Sequence, residues 1–194
     1  NQGVAMARNT GIQHSRAKFI TCLDADDRLH PQFVEGLYPA LAKDRGLGIA
    51  YSGLALIDGQ GRVGGASQWP PDFDWEIMTQ VTNPPSNCIP SACMFRRSMW
   101  MRAGGYRQEY APGEDTEFWV RGLSVGFHAK RILRDPLFEY RGHDGSASRS
   151  LKYKQIDGKL PWMRSKEYPI GAPANKPPKV KSNVQPMISV IIPV

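Results

Sequence analysis

Three carboxylates, Asp24, Asp26 and Asp27, close a short apolar run that begins at Phe19, and no other stretch of the 194-residue chain is so well suited to chemistry. On an extended strand, side chains two apart point the same way, so Asp24 and Asp26 are expected to share one face, with only Ala25 between them. Carboxylates at the carboxyl end of a strand suit a hard divalent cation such as Mg2+ or Mn2+, which takes carboxylate oxygens together with substrate phosphates. The plain alternative is that the acids form a solvated turn or open a helix. A calcium loop is excluded: Asp24, Asp26 and Glu35 have the right spacing, but Arg28 stands at a ligand position and Leu29 where the loop needs glycine.

Other residues invite a functional reading, each beside a structural one. Glu114 and Asp115 open a helix predicted over Glu114 to Val125, where acids commonly cap the first turn and offset the helix dipole. His143 follows a strand and precedes Asp144-Gly145-Ser146, a turn able to fold over phosphates; Arg141 is the alternative phosphate contact, and a lone loop histidine is commonly just solvated. Arg8 sits on a predicted helix, from which it reaches a ligand or simply solvent. Trp69, Trp75, Trp100 and Trp119 are candidates for stacking on sugar rings, with burial the competing fate; Trp119 stands out because it lies one turn from Asp115.

Alternating helices and strands must position these groups. Val4, Ala7, Gly11 and Ile12 form a helical stripe within Asn1 to Ser15, followed by a strand over Lys18 to Leu23. A second helix is predicted from Pro31 to Lys43 with Phe33, Leu37 and Leu41 inward, then a strand over Gly48 to Ile57 and a turn at Asp58-Gly59-Gln60-Gly61. Ser67 to Pro90 is irregular, with a short helix over Trp75 to Val81; Ser91 to Phe95 reads as a strand and Arg97 to Ala103 as a helix stopped by Gly104-Gly105. Phe127 to Leu133 and Leu137 to Tyr140 read as two short strands. The pattern then decays into Pro- and Lys-rich linker composition, until Ile188 to Ile192 gives a β-branched run suited to a buried parallel strand.

Composition narrows the class. The formal charge is +7, of which residues 151–194 carry +6, so the body is nearly neutral and nucleic acid is not an expected partner. Such a tail fits a solvated linker or peripheral contact with an anionic membrane surface. Cys22, Cys88 and Cys93 lack CxxC spacing and sit in apolar stretches, which argues for a reducing compartment; the expected location is cytoplasmic, in solution or at the inner face of the membrane. No apolar run reaches the ~20 residues that span a bilayer.

Read together, Gly3-Val4-Ala5-Met6-Ala7-Arg8-Asn9-Thr10-Gly11, Asp24-Ala25-Asp26-Asp27, Gly113-Glu114-Asp115 and Tyr140-Arg141-Gly142-His143 resemble, in order and spacing, the family 2 glycosyltransferases. The resemblance covers Asn1 to Ser148. It implies an α/β fold of the GT-A nucleotide-sugar type, a Rossmann-like mixed sheet flanked by helices, and inverting transfer of a sugar from a nucleotide-diphosphate sugar, a UDP-sugar first, to a hydroxyl of a saccharide, lipid-linked or protein acceptor. It further implies Asp115 as general base and Mn2+ or Mg2+ on Asp26 and His143. Donor contacts would come from Arg8, Asp24, Asp26, Asp27 and Arg141, and acceptor-side contacts from Glu114, Trp119, Asn87 and Ser91.

The family normally opens with a Ser-Val-Ile-Ile-Pro-Val strand, yet here that pattern stands at Ser189 to Val194. The expectation is therefore a partial glycosyltransferase domain over 1–150 lacking its first strands, a basic linker over 151–186, and at 187–194 the first strand of a following domain. The last segment is expected to dock on the incomplete sheet, in cis or by exchange between chains. Two other classes remain open: a non-catalytic nucleotide-sugar-binding remnant, and a basic interaction module whose binding falls steeply with salt.

Overall fold

The computed structural model describes residues 3–64, 72–73, 78, 88–111, 113–142 and 188–193. Helix α1 spans Val4–His14 and leads into strand β1, Phe19–Cys22, which is buried at every position. The two-residue strand β2, Arg28–Leu29, precedes helix α2, Phe33–Lys43; β3 follows at Leu47–Ile57. Then come β4, Met94–Arg96, helix α3, Arg97–Ala103, a 3-10 turn at Gln108–Tyr110, helix α4, Glu114–Ser124, and β5, His128–Arg141. Strand β6 is Ile188–Ile191.

Six strands make one mixed sheet in the order β2-β5-β3-β4-β1-β6, with β1 parallel to β6, β3 parallel to β5, and the remaining pairs antiparallel. The two-residue period of the strands sorts side chains into two cores. Phe19 and Met94 point to one face, where Phe33, Leu37 and Leu41 of α2 cover them at helical spacing. Ile20, Cys22 and Phe95 point to the other, under Ile12 of α1, Met99 of α3 and Phe118, Trp119 and Leu123 of α4. Burying each such side chain contributes about 1.5–3 kcal/mol, so both faces drive the three-layer arrangement.

The expected docking of the last strand is found within the same chain. Residues 188–191 pair in register with residues 19–22, and the Leu23 amide extends the ladder by donating to the Ile191 carbonyl at 2.8 Å. Ser15 Oγ donates to Ser189 Oγ at 2.8 Å. Glycine is required at position 11 of α1, because a Cβ there would lie 2.4 Å from Ile191 Cγ2.

Several predicted boundaries move. Helix α2 starts at Phe33, two residues after Pro31, because residues 31–32 form a turn in which the Phe33 amide donates to the His30 carbonyl at 2.9 Å. Strand β4 begins only at Met94, and the two strands predicted between Phe127 and Tyr140 are one. Pro136 does not interrupt it because the β3–β5 register shifts beside it, between Tyr51 and Leu54, and such irregularities tolerate a residue without a backbone donor. Of the helix predicted over Trp75 to Val81, only Met78 is among the described residues, and the linker lies outside them.

Candidate active site at the acid turn

Strand β1 ends at Cys22, and the chain turns at once: the Asp27 amide donates to the Asp24 carbonyl at 3.1 Å. The acids thus lie on a turn beyond the strand, and strand parity does not govern them. Asp24 leans toward α1, its side chain 32% exposed. Asp26 is exposed at the turn, and Asp27 folds inward. Asp27 Oδ1 accepts from the Arg141 amide at 2.8 Å, while its buried Oδ2 has no partner among the described residues. Burial, with the charges of Asp26 and Asp24 added, pushes the Asp27 carboxyl up to about 7 against the opposing pull of Arg141.

Arg141, at the end of β5, braces this turn. Its guanidinium donates to the backbone carbonyls of Asp26 at 2.6 Å, Asp58 at 2.7 Å and Gly59 at 3.1 Å, tying the acid turn to the turn after β3.

Arg8 joins the acid turn to α4. It is 4% exposed; Nη2 donates to Asp24 Oδ1 at 2.8 Å and Nη1 to Glu114 Oε1 at 2.7 Å, with the guanidinium 5.5 Å from the Tyr106 ring centroid. Burial alone would lower its pKa, but Asp24, Tyr106, Glu114 and Asp115 together hold it above the ordinary arginine range. Both terminal nitrogens face protein carboxylates, so the expected donor contact gives way to a bridge.

Gly113, at φ 106°, turns the chain into α4, and its amide donates to Glu114 Oε2 at 3.1 Å. Burial and the neighbouring Asp115 raise the Glu114 carboxyl above its ordinary range, and the pair with Arg8 offsets them only in part. Asp115 is half-buried one residue on, and its Oδ1 accepts from the amide of the next residue, Thr116, at 2.6 Å.

Other expected residues are placed differently. Trp119 is fully buried among Phe95, Tyr106 and Phe118, with ring centroids 5.0–6.1 Å away, so it packs the core and offers no face to a sugar. Trp100 is half-buried and donates Nε1 to Asn9 Oδ1 at 3.0 Å. Ser91 is half-buried on the approach to β4. Asn87, His143, Trp69 and Trp75 lie outside the described residues, among which no group of three His, Cys, Asp or Glu side chains converges to hold a metal. A concavity of about 530 Å³ lined by His30, Glu35, Leu133, Asp135 and Glu139 includes none of the acid-turn residues.

Sequence reasoning overlooked Asn9 and Tyr106. Asn9 Nδ2 donates to the Tyr106 carbonyl at 2.8 Å and its Oδ1 accepts from the Tyr106 amide at 2.9 Å, which fixes the loop before α4. Its place beside Arg8 in the Ala-Arg-Asn segment was the available signal.

Residues 1–102, which include Arg8, Asn9 and the acid turn, match the family model described as Glycosyl transferase family 2. The chain belongs to that family. Among curated proteins it is 25% identical over 176 residues to Uncharacterized glycosyltransferase MJ1057 of Methanocaldococcus jannaschii, covering 87% of this chain and 59% of that protein. Chondroitin synthase of Escherichia coli is 25% identical over 126 residues, 65% of this chain and 18% of the synthase. The chain thus spans less than two thirds of either relative. Among solved structures, S. aureus TarS 1–349 in complex with UDP superposes with a TM-score of 0.53 at 12% identity, over 74% of this chain and 41% of that one. The complex of TarS 1–349 with UDP-GlcNAc gives 0.53 at 13%, over 74% and 40%. At that identity the likeness is one of fold, and it is the GT-A type fold the sequence implied.

Proposed function

We propose that the protein containing this chain is an inverting glycosyltransferase that moves a sugar from a nucleotide-diphosphate sugar to an acceptor hydroxyl, with Asp115 as the base. The observation that carries the reading is the Arg8 bridge: it sets the acid turn and the first turn of α4 on either side of one guanidinium, 2.8 Å from Asp24 and 2.7 Å from Glu114. In this reading the acid turn is the donor side of the site and the first turn of α4 its acceptor side. A UDP-sugar is the preferred donor, because TarS, which shares the fold, has been crystallised with UDP and with UDP-GlcNAc.

In this reading the acceptor oxygen gives its proton to the Asp115 carboxylate and attacks the anomeric carbon, while the sugar–phosphate bond breaks and its electron pair leaves with the nucleoside diphosphate. Attack opposite the leaving group inverts the anomeric centre. Asp24, steadied by Arg8, faces the nucleoside end of the donor, and Arg141 holds the acid turn in shape through its three carbonyl bonds.

Mg2+ or Mn2+ fits this donor set, since such ions take one or two carboxylates and leave other positions to substrate phosphates and water. The exposed Asp26 carboxylate is the proposed protein ligand, with His143 as a second. When bound, the cation would neutralise charge developing on the leaving diphosphate.

The test is Asp115→Asn in the full-length protein, assayed for transfer from a panel of UDP-sugars with UDP affinity measured calorimetrically. Turnover should fall by about 10²- to 10⁴-fold with UDP affinity close to unchanged. Turnover near the wild-type rate places the base elsewhere.

A further inference from the structure

We infer that Glu114 and Arg8 are positioning residues which, together with Asn9, set the Asp115 carboxylate against the donor side of the site. The inference rests on the reading of Asp115 as base and adds to it a mechanical device contributed by α1.

Asp115 lies on the first turn of α4, a place where helices fray because the first amides lack intrahelical partners. No side-chain cap from Gly113 secures this end. Beside the local bonds of the Gly113 amide to Glu114 Oε2 and of the Thr116 amide to Asp115 Oδ1, this end is held from α1. Arg8 grips Glu114 at 2.7 Å and Asp24 at 2.8 Å with two ends of a rigid fork, in a setting where both Arg8 and Glu114 are almost excluded from water. Buried charge-assisted pairs of this geometry are stiff, and an arginine fork fixes angle as well as distance. Asn9, the next residue on α1, clamps both backbone groups of Tyr106 at 2.8 and 2.9 Å, and the same Oδ1 holds Trp100 of α3 at 3.0 Å.

The loop entering α4 and the first turn of α4 are therefore anchored to adjacent residues of one helix. That helix also touches the end of β1 through Asp24. The spacing between donor-side acid and base is set by Arg8 across the gap, with no direct contact between Asp24 and Asp115 needed. Glu114 then has a task that its neighbour cannot perform: it is 6% exposed and turned inward, so it has no access to an acceptor and serves as the handle by which Arg8 holds Asp115 in place.

The experiment compares Glu114→Gln and Arg8→Lys with the wild-type full-length protein by three readouts: kcat and KM for transfer, UDP affinity by calorimetry, and amide hydrogen exchange. Glu114→Gln keeps a hydrogen-bonding oxygen near Arg8 but removes the charge. It should lower kcat by about 10- to 100-fold while leaving UDP affinity within about twofold, because a small misplacement of a base costs that much and the donor side is untouched. Arg8→Lys keeps the charge but not the fork, and should lower both kcat and UDP affinity, since it loosens Asp24 as well. In both variants the amides of Thr116 and Glu117, which donate to Asp115 Oδ1 and to the Gly113 carbonyl, should exchange at least about tenfold faster, with those of β3 unchanged.

Unaltered exchange at Thr116 and Glu117 overturns the inference whether or not turnover is measurable. So does a Glu114→Gln enzyme with wild-type kcat. If Asp115→Asn keeps its turnover the reading of the base fails by itself; if Asp115→Asn is dead and Glu114→Gln is not, only the positioning role fails.

Discussion

Arg8 Nη1 and Glu114 Oε1 lie 2.7 Å apart although 106 residues separate them in sequence, and their side chains are only 5% and 8% exposed. With Asp24 on the other nitrogen, the guanidinium compensates two carboxylates at once. Removing it leaves the buried Glu114 carboxylate without the charge it pairs with, and frees Asp24 as well. Arg8→Ala is therefore expected to destabilise the fold by about 3–5 kcal/mol, as breaking a buried pair from one side usually does. Arg8→Lys should fall between, since an ammonium cannot hold both acids in the fork geometry. Urea denaturation with an unchanged m-value checks this. A loss under about 1 kcal/mol for Arg8→Ala, the size of a surface pair, contradicts it.

Glu114 makes stability depend on pH in a stated direction. Its folded carboxyl is raised above the ordinary 4.5, so over the interval above pH 4.5 the native state binds more protons than the unfolded chain. Stability from this group is full below the unfolded value and is lost as pH rises through the folded value. Glu114→Gln cannot titrate there. The stability of wild type relative to this variant should decline as pH is raised from 4 toward neutrality, measured by denaturant unfolding at each pH. A difference that stays constant or grows with pH has the wrong sign.

Much of this architecture was legible because local pattern and burial agree. Phe33, Leu37 and Leu41 recur at helical spacing and do cover one face of the sheet; Arg97–Ala103 begins and ends as read, with left-handed Gly104 following it. The acid turn departs from the expectation for a physical reason: extended parity stops at Cys22, and the Asp27 to Asp24 bond closes a turn beyond it. Trp119 was misplaced because its distance along the helix from Asp115 says nothing of direction, and its side chain meets Phe95 and Tyr106. The Arg8 to Glu114 pair was invisible because no local pattern joins residues so far apart.

Strand β6 offers a test whose sign is informative. In an open helix position, replacing glycine by alanine stabilises by about 1 kcal/mol, because alanine has the better helix propensity. At Gly11 the new Cβ would stand 2.4 Å from Ile191 Cγ2, closer than such atoms approach, so α1 and β6 cannot both keep their places. Gly11→Ala should then lower stability, and amides of residues 188–191 should exchange faster than in wild type while those of β3 keep their protection. Shortening the facing side chain gives the control. In the double variant Gly11→Ala with Ile191→Ala the obstructing methyl is gone, and protection at residues 188–191 should recover, a coupling expected only of residues in contact. If Gly11→Ala alone is more stable than wild type, with exchange at 188–191 unchanged, β6 does not pack against α1, and the parallel pairing of Phe19 with Ile188 and Cys22 with Ile191 loses its support.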